Sequence, residues 1–185
     1  MTVRFPHRLL PLLAAAASTL VPLAAATAAP AATDQPQATT ATYHDWILRC
    51  AIGGGGRGKT VRACEIVQPV PAPDRRGVAA QIVIGRPEPG KPEHVIVQLP
   101  LGVWLPAGAT LRLAGAAVAL PFQQCIKLCF AAADLDAAAL KALGAGIQPA
   151  RLMFEDAGQH EVSLPVSLHG FSAALDASEA PAAAK

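Results

Sequence analysis

Apolar and polar positions alternate along most of the chain from residue 42 onward, in short runs interrupted by glycine and proline. Residues 78–84 (VAAQIVI) and 94–99 (HVIVQL) show the pattern most clearly, and the PEPGKP stretch between them has only turn character. The same reading predicts strands over residues 42–50, 62–70, 110–113, 117–123, 126–131, 150–155 and 161–168. About nine or ten short strands at this spacing are the signature of a β-sandwich or barrel. Residues 134–143 (DLDAAALKAL) break the two-residue period. An N-cap at Asp134, Asp136 in the first turn and Gly144 at the end predict a helix that buries Leu140, Leu143 and Leu135. A second helix is predicted over residues 171–177 (FSAALDA), packing Phe171 and Leu175 onto a sheet. The expected fold is all-β: a single antiparallel β-sandwich or barrel-like domain with one or two short helices.

The ends of the chain lack this pattern. Residues 1–28 read as an export signal: Arg4 and Arg8 precede an uncharged apolar run, and small residues offer cleavage after Ala26 or Ala28. Pro11 and Pro22 interrupt the run and disfavour a retained membrane anchor. Residues 29–41 have almost nothing to bury and read as a flexible linker, as do residues 179–185 (EAPAAAK) as a disordered tail. The folded domain is expected over residues 42–178. Cleavage leaves about 155 residues, enough for one core and no transmembrane segment.

Export also changes the charge. Losing Arg4 and Arg8 lowers the basic count from 15 to 13, equal to the 13 acidic residues. Beyond Arg75-Arg76 there is no basic tract, which excludes the electrostatic footprint of a nucleic-acid binder. A polybasic membrane patch is missing as well.

Four cysteines in an exported chain allow three pairings. Cys50 and Cys64 end two strands joined by a glycine-rich loop, which favours pairing them with each other. Cys125 and Cys129 would lie about 13 Å apart in one straight strand, beyond disulfide reach. Pairing them requires Ile126-Lys127-Leu128 to form a tight turn, bulge or helical turn; crossed pairing with Cys50 and Cys64 is the alternative. A zinc or redox site would favour closer C-x-x-C spacing, so structural disulfides are expected and no metal.

Between the first two cysteines, Gly53 to Thr60 (GGGGRGKT) matches the phosphate-binding pattern G-x-x-x-x-G-K-[ST]. A working loop of that kind follows a buried parallel strand and opens a helix. Here β-branched residues and Pro69 and Pro71 follow, and strands do not alternate with helices. A glycine-rich hairpin tip explains the letters, so neither nucleotide nor any other cofactor is expected.

Candidate chemistry elsewhere is thin. His44, His94, His160 and His169 survive cleavage without metal-ligand spacing. Asp156, His160 and Ser163 or Ser167 make a hydrolase triad only on paper, because no G-x-S-x-G elbow is present. Residues 156–159 read as a hairpin turn, and no catalytic residue is assigned. Trp46 reads as core. Trp104 and Leu105 lie in a loop flanked by Pro100 and Pro106, where an exposed aromatic suits a contact surface.

Several segments together are familiar: WILRC at 46–50, CEIVQ at 64–68, LPLGVWLPAG at 99–108, the Cys125/Cys129 pair followed by Phe130-Ala131, and LPVSLHGFSAAL at 164–175. They resemble the invasion-associated locus B family of exported bacterial proteins over essentially the whole mature domain. The resemblance implies a β fold and a Gram-negative periplasm or cell envelope, or secretion. One member is linked to host-cell invasion. The family has no established enzyme activity, so no active-site residue carries over, and the glycine-rich insert lies outside the recognised pattern. The expected function is non-catalytic binding to a protein or envelope component, with a role in envelope function or invasion. A periplasmic hydrolase with an unrecognised site is the alternative.

Overall fold

A computed structural model describes residues 38–55, 59–73, 77–88 and 90–180. The expected signal over residues 1–28 lies outside them. The described chain forms two antiparallel sheets, without a closed barrel, and two short helices.

The chain first lays down five consecutive strands: β1 (Ala38–Tyr43), β2 (Trp46–Gly55), β3 (Lys59–Pro71), β4 (Val78–Gly85) and β5 (His94–Leu99). It then crosses to the second sheet for β6 (Ala109–Leu113) and β7 (Ala116–Leu120). It returns with β8 (Phe122–Cys125) and β9 (Cys129–Asp134), passes through α1 (Ala137–Gly144), and adds β10 (Ala150–Glu155) and β11 (Glu161–Val166) to the second sheet. Helix α2 (Phe171–Glu179) closes the fold. The strand orders are β1-β2-β3-β4-β5-β9-β8 and β11-β10-β6-β7.

Alternation along each strand supplies the core. Trp46, Leu48, Ile66, Ile82, Ile84, Val95 and Val97 come from the large sheet, and Leu111, Leu120, Leu152 and Leu164 from the small one. Register keeps each set on one face, because Leu48 opposes Ile66, Ile66 opposes Ile84, and Ile84 opposes Val95. Helix α2 lies against β2 and β3 and sets Phe171 edge-on to Trp46 at 5.2 Å between ring centroids.

Several boundaries differ from the sequence reading. The stretch 42–50 is two strands, because His44 adopts φ 54° and turns the chain between Tyr43 and Trp46. Strand β1 begins at Ala38, inside the stretch read as a linker; its backbone is satisfied by pairing with β2 although its side chains bury little. The run 117–123 is split at Pro121, which sends β7 and β8 into different sheets. Residues 126–128 form a tight tip rather than the start of a strand. Helix α1 is capped by Asp136, whose Oδ1 accepts from Ala139 N at 2.7 Å, while Asp134 ends β9 and bonds His94 instead. Helix α2 runs on to Glu179, held by Arg86.

Candidate functional site

The cysteines join neighbours. Cys50 faces Cys64 across the β2–β3 ladder, and Cys125 faces Cys129 across the β8–β9 ladder; each pair has a Cα–Cα distance of 4.0 Å and forms a disulfide. The second bridge closes on the tip Ile126-Lys127-Leu128, where Ile126 N donates to Leu128 O at 3.1 Å. The tip is thus rigid at its base while its side chains point outward.

That tip belongs to a larger surface. Strand β5 ends at Leu99, directly opposite Cys129, so the chain beyond Leu99 leaves the sheet beside Leu128. On the other side of β5, Gln98 opposes Gln81, so the start of β4, with Val78, lies at the same end of the sheet. Three adjacent strand ends therefore carry Val78, Leu101 and the Ile126–Leu128 tip. The crossover from Leu101 to β6 adds Trp104 and Leu105, the latter opening a 3-10 turn over Leu105–Ala107. These six side chains are 38–73% exposed and are six of the eight large apolar residues that the described chain exposes. Scattered apolar residues are ordinary on a surface, but a gathering at one end is not.

The crossover is firmly placed. Trp104 N donates to Glu155 O at 2.9 Å, Ala157 N to Gly102 O at 2.9 Å, and Gly108 N to Leu105 O at 3.1 Å. Gly108 has φ 67°, and a Cβ there would stand 3.1 Å from the Leu120 carbonyl, so glycine lets the two crossovers between the sheets touch. Trp104 is held by its backbone while its ring faces outward. Trp46, by contrast, is fully buried and donates its Nε1–H to Ser167 O at 3.1 Å.

The paper triad is not assembled. Ser163 Oγ bonds Arg151, and Ser167 Oγ donates to Asp45 Oδ2 at 2.6 Å. His160 bonds Asp156 at 3.2 Å within the β10–β11 turn, where backbone N–H groups from His160 and Gly158 hold the Asp156 carboxyl below its usual range. Neither serine is hydrogen-bonded to a histidine side chain; Ser167 Oγ accepts from the His169 backbone N–H at 3.2 Å. His44 and His169 stack at 3.7 Å beside Ser167 and Asp45, a cluster from opposite ends of the domain that local patterning gave no sign of. Among the described residues no three His, Cys, Asp or Glu side chains are grouped to hold a metal. The stretch after Thr60 continues as β3, in an antiparallel hairpin that pairs Gly55 with Lys59; residues 56–58 lie outside the description.

A concavity of about 550 Å³ opens on the face of the large sheet turned from the core, lined by Arg49, Glu65, Val83, His94 and Ile96 among others. His94 is engaged by Asp134 at 2.8 Å.

The model of the family described as "Invasion associated locus B (IalB) protein" matches residues 46–179. The chain belongs to this family. The match runs from Trp46, the first residue of β2, to Glu179, the last of α2, so both disulfides and the whole apolar end lie within the IalB domain. The fold is similar to the crystal structure of invasion associated protein b from Bartonella henselae, with a TM-score of 0.63 and 23% identity. That likeness covers 76% of this chain and 94% of the other. No curated protein matches the sequence.

The sequence marks the proline-flanked loop that carries Leu101, Trp104 and Leu105 as a contact surface and gives Val78, Ile126 and Leu128 no such role. The available signal was apolar residues at predicted turns. Ile126 and Leu128 were assigned to a strand, where apolar residues need no explanation.

Proposed function

We propose that this IalB-family protein is exported and works by binding, presenting the apolar end of its sandwich to a component of the cell envelope. The observation that carries this reading is the gathering of Val78, Leu101, Trp104, Leu105, Ile126 and Leu128 at adjacent strand ends. Two disulfides and the family favour an oxidising compartment, and the N-terminal pattern favours the periplasm or envelope. Among the described residues no helix is long and apolar enough to cross a membrane. A non-catalytic role is favoured because both candidate serines are engaged by other groups. The names of the family and of the Bartonella protein support a place in host-cell invasion, with binding as the step this chain contributes.

Cross-linking in the native envelope tests the reading. Wild-type protein is expected to capture a defined component that Trp104→Ala loses, with both proteins equally folded. Capture indifferent to Trp104 and to Ile126→Asp would remove this surface from the function.

A further inference from the structure

We infer that the component met by the apolar end is a phospholipid leaflet, with the loop tips at Leu101–Leu105 and Ile126–Leu128 entering its interfacial layer. This rests on the reading of that end as the binding surface. Residues 100–108 (PLGVWLPAG) and the 126–128 tip (IKL) contain one charge, Lys127, and one polar side-chain atom besides, the Trp104 indole nitrogen. Protein interfaces surround an apolar centre with polar residues that hydrogen-bond to the partner. Within the two loops almost nothing could form such a rim; the nearest polar side chains, Gln123 and Gln124 before the tip and Asp156 beside Val103, stand outside them. A hydrocarbon boundary asks for none.

A segment entering a medium without hydrogen-bond partners must bring its N–H groups satisfied. Pro100 and Pro106 have no N–H. Those of Trp104, Gly108 and Ile126 donate inside the protein, and entry is confined to the hydrated headgroup layer, where water and lipid phosphates can accept from the other N–H groups of the tips. The tip is also closed by Cys125–Cys129, so little ordering remains to oppose insertion.

A half-exposed tryptophan at the base of the tips suits the headgroup level, where its ring is apolar and its N–H stays wet. Lys127 stands between Ile126 and Leu128. Its stem can follow them while its ammonium reaches back to lipid phosphates. One lysine is a weak electrostatic contribution, so apolar insertion carries the binding and anionic lipid adds to it.

The two tryptophans make a direct test, because Trp46 is already fully buried and hydrogen-bonded. Oxidised protein is mixed with vesicles of phosphatidylcholine alone or with phosphatidylglycerol added. Wild-type emission is expected to shift to the blue on mixing and to be quenched by lipids brominated near the headgroup; Trp104→Phe removes both effects. Ile126→Asp weakens partitioning about tenfold or more, the scale of moving one large apolar side chain out of contact with hydrocarbon. Lys127→Ala weakens it only on vesicles containing phosphatidylglycerol. Near-ultraviolet circular dichroism verifies folding, and the Trp104→Phe comparison keeps the test open should Ile126→Asp misfold. Absence of any emission change or co-sedimentation on either vesicle overturns the lipid assignment. If envelope cross-linking then still depends on Trp104, the surface binds a protein and only this inference falls; if it does not, the binding surface falls too.

Discussion

Gln68 and Ser167, one in each half of the chain, exchange two hydrogen bonds: Gln68 Nε2 donates to Ser167 O at 2.7 Å, and Ser167 N donates to Gln68 Oε1 at 3.0 Å. Gln68 is 3% exposed, so the amide substitutes for the strand pairing that the chain loses where β11 ends. The Ser167 carbonyl also accepts from Trp46, tying β2, β3 and the approach to α2 at a single peptide. Gln68→Ala is expected to destabilise the fold by about 1–3 kcal/mol through buried groups left unpaired. Ser167→Ala keeps both backbone partners, loses only the bonds of an outward-facing hydroxyl, and is expected to cost about 1 kcal/mol or less. Urea unfolding of the two variants gives the comparison; equal losses would remove the clamp from the account.

Gly170 caps α2 with φ 89°, and a Cβ there would run into the Tyr43 carbonyl. Gly115, at φ 80°, has nothing within 4 Å of its Cβ position. Alanine at Gly115 pays only the backbone strain, about 1 kcal/mol. At Gly170 steric conflict is added, so the loss is expected to reach about 2–3 kcal/mol or more. Thermal unfolding of both variants separates conformational strain from collision.

Glu93 is buried beside Arg86, which also holds Glu179, and its Oε2 has no hydrogen-bond partner. Burial pushes its pKa above the usual 4.5; Arg86 opposes the rise and Glu179 adds to it. In the native state the carboxyl then holds its proton at pH values where the unfolded chain has released it. Its contribution to stability is therefore full below the unfolded pKa and is lost as pH rises through the native one. Glu93→Gln is expected to abolish this part of the pH slope, measured as unfolding midpoints across the mildly acidic range. Asp156 works in the other sense, since its lowered pKa favours the fold above the unfolded value and ceases to as pH falls through the native one. A wild-type and Glu93→Gln slope that coincide would remove Glu93 from the pH response.

The two disulfides divide their roles. In the chain-entropy account, closing the 14-residue separation of Cys50 and Cys64 contributes about 3 kcal/mol. Closing the separation of 4 between Cys125 and Cys129 contributes about 2 kcal/mol. Serine replacement of the first pair is expected to lower stability more and leave vesicle partitioning of folded protein intact. Replacement of the second is expected to weaken partitioning several-fold, because an open tip must be ordered on insertion. Measuring denaturation and partitioning on both double variants reads the division; a tip replacement without effect on partitioning contradicts it.

How far the sequence reached depends on the range of the interaction. Strands β5 and β10 were readable to the residue because their apolar period and bounding glycines and prolines are local. The cap of α1 was misplaced by two residues, since Asp134 and Asp136 both satisfy the local rule and only the pairing of Asp134 with His94 decides between them. The split at Pro121 was hidden because apolar residues continue on both sides, and nothing in a single run says that it changes sheet.

By itself, then, the sequence determined an all-β domain, the family and two short helices. These follow from periodicity, turn chemistry and segment resemblance, all of which act over a few residues. Only the tertiary structure decided that Val78, Leu101, Trp104, Leu105, Ile126 and Leu128 share one end, and that Gln68 meets Ser167. Both depend on strand order and register, above all the pairing of Leu99 with Cys129, and these are set by the whole core packing at once.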